Sequence, residues 1–325
     1  MSYAGKRILI TGGFGFIGSN LAIELVKQGA NVTIADNLSE FCGGNEFNVK
    51  EIKEKVEIKK LDISSKDAVP LIKEKEIIFN LAGHVSHIDS VRNPFIDYRI
   101  NCEEQIKFLE SCRKNNDSAA IVYAGTRAQY GRALYLPVDE KHPMNPVDVN
   151  GLNKLIAEEY HLLYNKTYGM KTASLRLTNV YGPRQCMQHS EHGFFNWFIR
   201  RAIEDATIKI FGDGKQLRDF NYVQDVVRAM LMTALNENGF GKVFNLGTGD
   251  PISILEAAKL IVEISRKGKI EVVHYPKEKR RIEVGDYYAD ISKIKSVIGW
   301  SPEIGLRQGI QKTIRFYIKN KGTYF

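Results

Sequence analysis

Ile8-Leu9-Ile10-Thr11-Gly12-Gly13-Phe14-Gly15-Phe16-Ile17-Gly18 is an apolar run that breaks into a glycine turn and opens a helix. Ile8 to Ile10 read as a buried parallel strand, because strands covered on both faces are continuously apolar. Gly12, Gly15 and Gly18 recur at every third residue, and Gly13-x-Gly15-x-x-Gly18 lies in the same stretch. The leading glycines let backbone approach a pyrophosphate with no Cβ in the way, and the last lets the helix pack closely on the strand. Amides at the helix N-terminus then face the phosphates, where the helix dipole favours negative charge. The helix ends at Gly29, a second strand covers Asn31-Val32-Thr33-Ile34-Ala35, and Asp36 closes it. An acid about twenty residues past the glycines bonds a ribose 2′-hydroxyl and repels a 2′-phosphate, so the dinucleotide expected is NAD rather than NADP. A GxGxxG spacing alone also fits other tight turns; the strand, turn, helix, strand and acid around it make the nucleotide site.

The 325 residues can hold two domains, or one large domain with a cap. No apolar run approaches the ~18 residues of a membrane span, and no signal-peptide pattern opens the chain. Cys42, Cys102, Cys112 and Cys186 have neither metal-ligand nor CxxC spacing. They read as reduced thiols of a cytoplasmic protein, with no metal and no membrane partner expected. The net charge of +8 comes from 46 basic against 38 acidic residues. The basic residues are interleaved with acids, which argues against a nucleic-acid face and suits an anionic small molecule.

Strand and helix patterns alternate through the first half. Strands are expected at 56–61, 77–81, 119–123 and 172–177, and long helices at 95–113 and 152–168, the second stopping at Gly169. Repeated β-α-β units with short connections imply a doubly wound parallel sheet that binds ligands at the carboxyl ends of its strands. Beyond Tyr181 the pattern is less regular: helices at 192–203, 223–235 and 254–265, and strands at 207–211 and 242–246, suggest a smaller mixed α/β lobe.

Taken together, Thr11-Gly12-x-x-Gly15-x-x-Gly18, Asp36-Asn37-Leu38, Asp62-Ile63, Asn80-Leu81-Ala82-Gly83, Arg176-Leu177-Thr178-Asn179-Val180-Tyr181-Gly182-Pro183 and Gly214-Lys215-Gln216-Leu217-Arg218-Asp219-Phe220 resemble the extended short-chain dehydrogenase/reductase family. The resemblance spans essentially the whole chain, and the nucleotide-sugar 2- and 4-epimerase branches look most similar. It implies a Rossmann-type NAD-binding domain over 1–180 and a nucleotide-sugar-binding domain over 181–325, with some chain crossing back near 242–249. By the same resemblance NAD lies along Gly12, Gly15, Phe16, Ile17, Gly18, Asp36 and Asn37, then Asp62, Ile63, Leu81, Ala82 and Gly83, and finally Asn101, Ala124, Lys154 and Thr178. A nucleotide-diphosphate sugar is expected against His87, Thr126, Asn179, Asn196, Phe211, Arg218 and Arg281 (or its neighbour Arg280). Arginine suits the diphosphate because its fork matches phosphate geometry. Family members pair through two helix faces, so a homodimer is expected.

The family's usual active site is a Ser or Thr followed later by Tyr-x-x-x-Lys. Thr126 and Lys154 fit, but Asn150 stands where the tyrosine belongs. An amide donates and accepts hydrogen bonds yet has no usable proton equilibrium. Three readings follow. Another group is the base, His87 first because imidazole titrates near neutrality, and Tyr130 second. Alternatively Asn150 is the helix N-cap of a degraded or cofactor-only site, or it replaces a tyrosine removed to trap substrate. Dehydratases and decarboxylases of the family carry an acid just after the Ser/Thr, where this chain has Arg127 and Ala128. That ranks an NAD-dependent epimerase first, with a dehydrogenase, a dehydratase-like enzyme or a non-catalytic binding protein as alternatives.

Overall fold

The computed structural model describes residues 2–39, 43–188, 193–276, 280 and 283–325. The first half is built on strands β1 (Arg7–Thr11), β2 (Asn31–Ala35), β3 (Glu57–Lys59), β4 (Ile77–Asn80), β5 (Ala120–Thr126) and β6 (Thr172–Leu177). Between them run helices α1 (Phe16–Lys27), α2 (Val69–Ile72), α3 (His87–Arg92), α4 (Pro94–Tyr98), α5 (Glu104–Asn115) and α6 (Val149–Tyr168). The second half contributes β7 (Asn179–Tyr181), α7 (Phe194–Ile203), β8 (Thr207–Phe211), β9 (Leu217–Arg218), β10 (Phe220–Tyr222) and α8 (Val223–Ala234). It continues with β11 (Val243–Leu246), β12 (Ile252–Ser253), α9 (Ile254–Ser265), β13 (Lys269–Val273), α10 (Ser292–Ile298) and α11 (Leu306–Lys319).

Seven strands form one parallel sheet in the order β11-β6-β5-β4-β1-β2-β3. This is the doubly wound α/β arrangement, whose order reverses between β1 and β4 and opens a crevice at the carboxyl edge. Ile8, Leu9 and Ile10 are fully buried, as a strand covered by helices on both faces must be. β11 follows α8 in the chain yet pairs with β6, so the last strand of the large sheet comes from the second half. Three two-stranded ribbons (β7/β10, β9/β12 and β8/β13) carry the remaining strands. A second core, centred on Phe195, Ile199, Ile208, Phe220 and Tyr317, packs the smaller lobe.

Several boundaries differ from the sequence expectations, the strand expected at 56–61 shrinking to Glu57–Lys59 among them, and two matter for the site. The helix expected at 95–113 starts at Pro94, passes through a π-turn at Arg99–Glu103 and ends at Asn115. β5 runs on to Thr126, carrying that residue to the crevice. α6 begins at Val149 and not at 152, because the Asp148 side chain accepts the Gly151 amide and starts the helix earlier. The helix expected from 192 covers Phe194–Ile203; His192 lies outside the described residues.

Candidate active site

A cavity of about 790 Å³ runs along the carboxyl ends of β1, β2, β4, β5 and β6 and into the smaller lobe. The glycine turn forms one end. Gly12 has φ +69°, and a Cβ there would stand 3.0 Å from the Leu81–Ala82 backbone; a Cβ on Gly18 would collide with the Gly12 carbonyl. The Thr11 hydroxyl fixes that approach, accepting the Leu81 and Ala82 amides at 3.0 Å and donating to Asn80 Oδ1. No side chain caps α1, and no acid occupies its first turn. Its N-terminus is therefore available to an anion, and the bare glycine cradle beside it fits a dinucleotide pyrophosphate. Asp36 accepts the Phe14 and Leu38 amides through separate oxygens. Burial nevertheless raises its carboxyl above the ordinary value.

Phe16, Ile17, Asn37, Asp62, Ile63, Gly83, Ala124, Thr178 and Lys154 line the same cavity, as do Gly12, Gly15, Gly18, Asp36, Leu81 and Ala82. Asn101 does not: it is buried, and its amide exchanges two hydrogen bonds with the His84 backbone, so it shapes the loop after β4. On the substrate side His87, Thr126, Asn179, Phe211 and Arg218 line the cavity. Asn196 is a correction. It is buried away from the cavity and pins the backbone N–H and C=O of Gly182. Arg281 lies outside the described residues, and Arg280 is exposed.

Tyr130, the second candidate base, is also corrected. Its ring is fully buried behind the crevice; its hydroxyl donates to Asn245 at 2.6 Å and accepts from Arg176 at 2.7 Å. A phenol so enclosed cannot meet a substrate.

Asn150 lines the cavity but is not the N-cap; Asp148 is. Both amide hydrogens of Asn150 are committed, to His84 O at 2.9 Å and to Asp97 Oδ2 at 2.8 Å. Carbonyl and carboxylate only accept, so the amide orientation has one solution. Among the described residues nothing donates to its Oδ1. Asp97, fully buried, also receives His84 Nδ1 at 2.9 Å and Asn153 Nδ2 at 2.8 Å. Burial pushes the Asp97 carboxyl up, but the hydrogen bonds from His84, Asn153 and Asn150 outweigh it and hold it below the ordinary range. Its folded-state value is thus lower than its unfolded one. The stability it contributes is complete above about pH 4 and is lost as pH falls through the depressed value. In thermal melts from pH 7 to 3, Asp97→Asn is expected to melt lower at neutral pH and to lose less than the parent on acidification.

The sequence did not single out Asp148, although an aspartate just ahead of a helical pattern is a cap signal. Its Oδ1 caps α6 and its Oδ2 lies 2.8 Å from His87 Nδ1. Burial raises this carboxyl, but the bond and charge of His87 outweigh that and leave it below the ordinary range. An ionised carboxylate can only accept, so Nδ1 of His87 carries a proton, and in the neutral form of the ring the lone pair is on Nε2. The His87 side chain is 39% exposed and lines the cavity. Lys154 is nearly buried, its ammonium against Gly83, where a Cβ would stand 2.6 Å away. Thr126 turns its hydroxyl to accept the Ala128 amide at 3.2 Å.

The sequence profile of the GDP-mannose 4,6 dehydratase family matches residues 9–313. The chain belongs to the extended short-chain dehydrogenase/reductase family. A protein of Methanocaldococcus jannaschii, provisionally named UDP-glucose 4-epimerase, is 40% identical over 319 residues, covering 97% of this chain and all of its own. The crystal structure of Thermotoga maritima UDP-glucose 4-epimerase with UDP-glucose superposes with a TM-score of 0.88 at 32% identity, over 97% of this chain and 99% of that one. Thermus thermophilus UDP-glucose 4-epimerase in complex with NAD gives 0.85 at 28% identity, over 96% and 99%. Relatives of the extended short-chain type are thus NAD-dependent nucleotide-sugar epimerases, with some dehydratases and decarboxylases among them, and the glycine cradle of this chain fits the same cofactor. Among the described residues no helix is long and apolar enough to cross a membrane, and no group of His, Cys, Asp and Glu could hold a metal.

Proposed function

We propose that this protein is an NAD-dependent nucleotide-sugar epimerase in which His87, held by Asp148, takes over proton transfer from the family's usual tyrosine. The observation that carries it is the 2.8 Å contact between His87 Nδ1 and Asp148 Oδ2 at the cavity wall. A base oriented by a buried carboxylate is the arrangement by which imidazole accepts a proton and is stabilised as imidazolium. Gly12, Gly18 and Asp36 would hold NAD, which supplies reversible hydride acceptance when bound. His87 Nε2 takes the hydroxyl proton of the sugar carbinol as that carbon is oxidised. Thr126 hydrogen-bonds the reacting oxygen, and Lys154 places positive charge near it. Return of the proton from His87 to the keto oxygen completes the inverted carbinol once the sugar has turned.

Arg127 and Ala128 after Thr126 supply no carboxylate for dehydration, which supports epimerisation over elimination. The binding-only alternative draws on Asn150, whose amide is tied into the Asp97 network. Purified protein incubated with nucleoside-diphosphate hexoses is expected to equilibrate a pair of epimers, followed by NMR, with no solvent deuterium at the inverted carbon. Bound NAD and bound sugar nucleotide with no exchange would establish the alternative.

Two further features belong to the proposal. Phe95 is 81% exposed, and Val91, Tyr98, Leu152 and Leu163 are exposed on α3, α4 and α6, helices that pack on one another. Burying that apolar surface against a second copy supports a homodimer. Cys102, Cys112 and Cys186 are free thiols, which suits the cytoplasm; Cys42 lies outside the described residues.

A further inference from the structure

Arg127 follows Thr126 directly, on the short turn that leaves β5, and lines the cavity. Its guanidinium lies 5.1 Å over the Tyr287 ring, yet among the described residues it makes no hydrogen bond or ion pair. Three charged groups are close enough for their fields to reach it: Arg218 and the carboxylates of Glu283 and Asp148. Neither carboxylate is free to serve it. Glu283 accepts Arg218 at 2.6 Å and the Gly285 amide through Oε1, and the Tyr275 hydroxyl through Oε2. Asp148 spends one oxygen on the Gly151 amide and the other on His87. Burial and the Arg218 charge pull the guanidinium down to about 10, so its cost of desolvation is not met by the protein. An arginine stays charged even so.

Position matters as much as charge. Arg218 marks the diphosphate end of the substrate side, and the His87–Asp148 pair marks the proton-transfer end. Arg127 adjoins Thr126 in the chain and lines the same cavity as both ends, which puts it beside the span that the hexose would occupy. A neutral hexose would leave a half-buried cation without a hydrogen bond there; a carboxylate would satisfy it through two parallel hydrogen bonds.

We propose that the sugar on which this cavity acts carries a carboxylate, the substrate class being nucleoside-diphosphate uronates, and that Arg127 binds that carboxylate. The proposal rests on the nucleotide-sugar function proposed above. Its test is equilibrium binding of UDP, UDP-glucose and UDP-glucuronate to the NAD-loaded protein. UDP-glucuronate is expected to bind about 10- to 100-fold more tightly than UDP-glucose, the range of a hydrogen-bonded charge pair. In Arg127→Gln that preference disappears while affinity for UDP stays within about twofold, since the diphosphate keeps Arg218. Arg127→Lys, which keeps the charge and loses the fork, retains part of the preference and guards against a folding defect in the first variant.

Equal binding of the two sugars by the parent protein would overturn the proposal. So would an Arg127→Gln variant that loses UDP as much as UDP-glucuronate, which would assign Arg127 to the diphosphate. Retention of NAD with no affinity for UDP, CDP, GDP or dTDP, or for their hexose and uronate derivatives, would instead overturn the nucleotide-sugar function itself, and this inference with it.

Discussion

Replacing His87 by alanine is expected to lower kcat for epimer exchange by about 10²- to 10⁴-fold, the usual contribution of a positioned general base. KM should change little, because the ring makes its decisive contact only as the proton moves. Asp148→Asn should fall between the parent and His87→Ala. An amide at 148 can still cap α6, but it no longer forces the Nδ1 proton and no longer stabilises the imidazolium. The two losses should not add in the double variant, since the pair acts as a unit. Asn150→Ala serves as the comparison: its amide hydrogens are tied to His84 and Asp97, so it should cost far less in kcat than His87→Ala. Full activity in His87→Ala, measured as the steady-state rate of epimer exchange, would remove His87 from the mechanism.

The second large effect falls on stability. Glu158 and Arg176 are almost wholly buried, paired at 2.5 Å, with the Ser174 hydroxyl donating to the same carboxylate at 2.6 Å. Glu158→Ala leaves the guanidinium uncompensated in the core, and a loss of about 3–5 kcal/mol in urea unfolding is expected. Part of the loss should be recovered in Glu158→Leu/Arg176→Met, because removing both charges also removes their desolvation penalty. A Glu158→Ala loss below about 1 kcal/mol, the range of an exposed pair, would show that the pair is not a buried strut. The site should register the change as well. A Cβ on Gly125 would stand 3.0 Å from Glu158 Oε2, so the carboxylate backs the strand end that delivers Thr126.

The core of the large sheet was legible in the chain because its elements are local. An all-apolar triplet, glycines three apart and an acid at the end of the next strand specify backbone geometry within one β-α-β unit. The same logic brought the side chains expected to hold the cofactor from the ends of successive strands to one cavity. The failures were long-range. Tyr130 and Asn196 carry plausible functional groups, but only the packing shows that Asn245 and Arg176 enclose the first and Gly182 holds the second. β11 reaches the large sheet from beyond α8, a register no local period encodes; its crossing back near 242–249 was expected from the family resemblance alone.

Asn150 separates the two kinds of information. From the sequence alone it follows that no phenol stands four residues before Lys154, and that a different group must move the proton if the reaction proceeds. That is chemistry of residue type, and it needs no coordinates. What holds the first candidate in place is visible only in the tertiary structure: the side chains of positions 87 and 148, 61 residues apart, meet at 2.8 Å because the loop after β4 and the start of α6 lie side by side over the sheet edge. A hydrogen bond between distant segments depends on where the sheet places their ends, and no spacing in the chain records that distance.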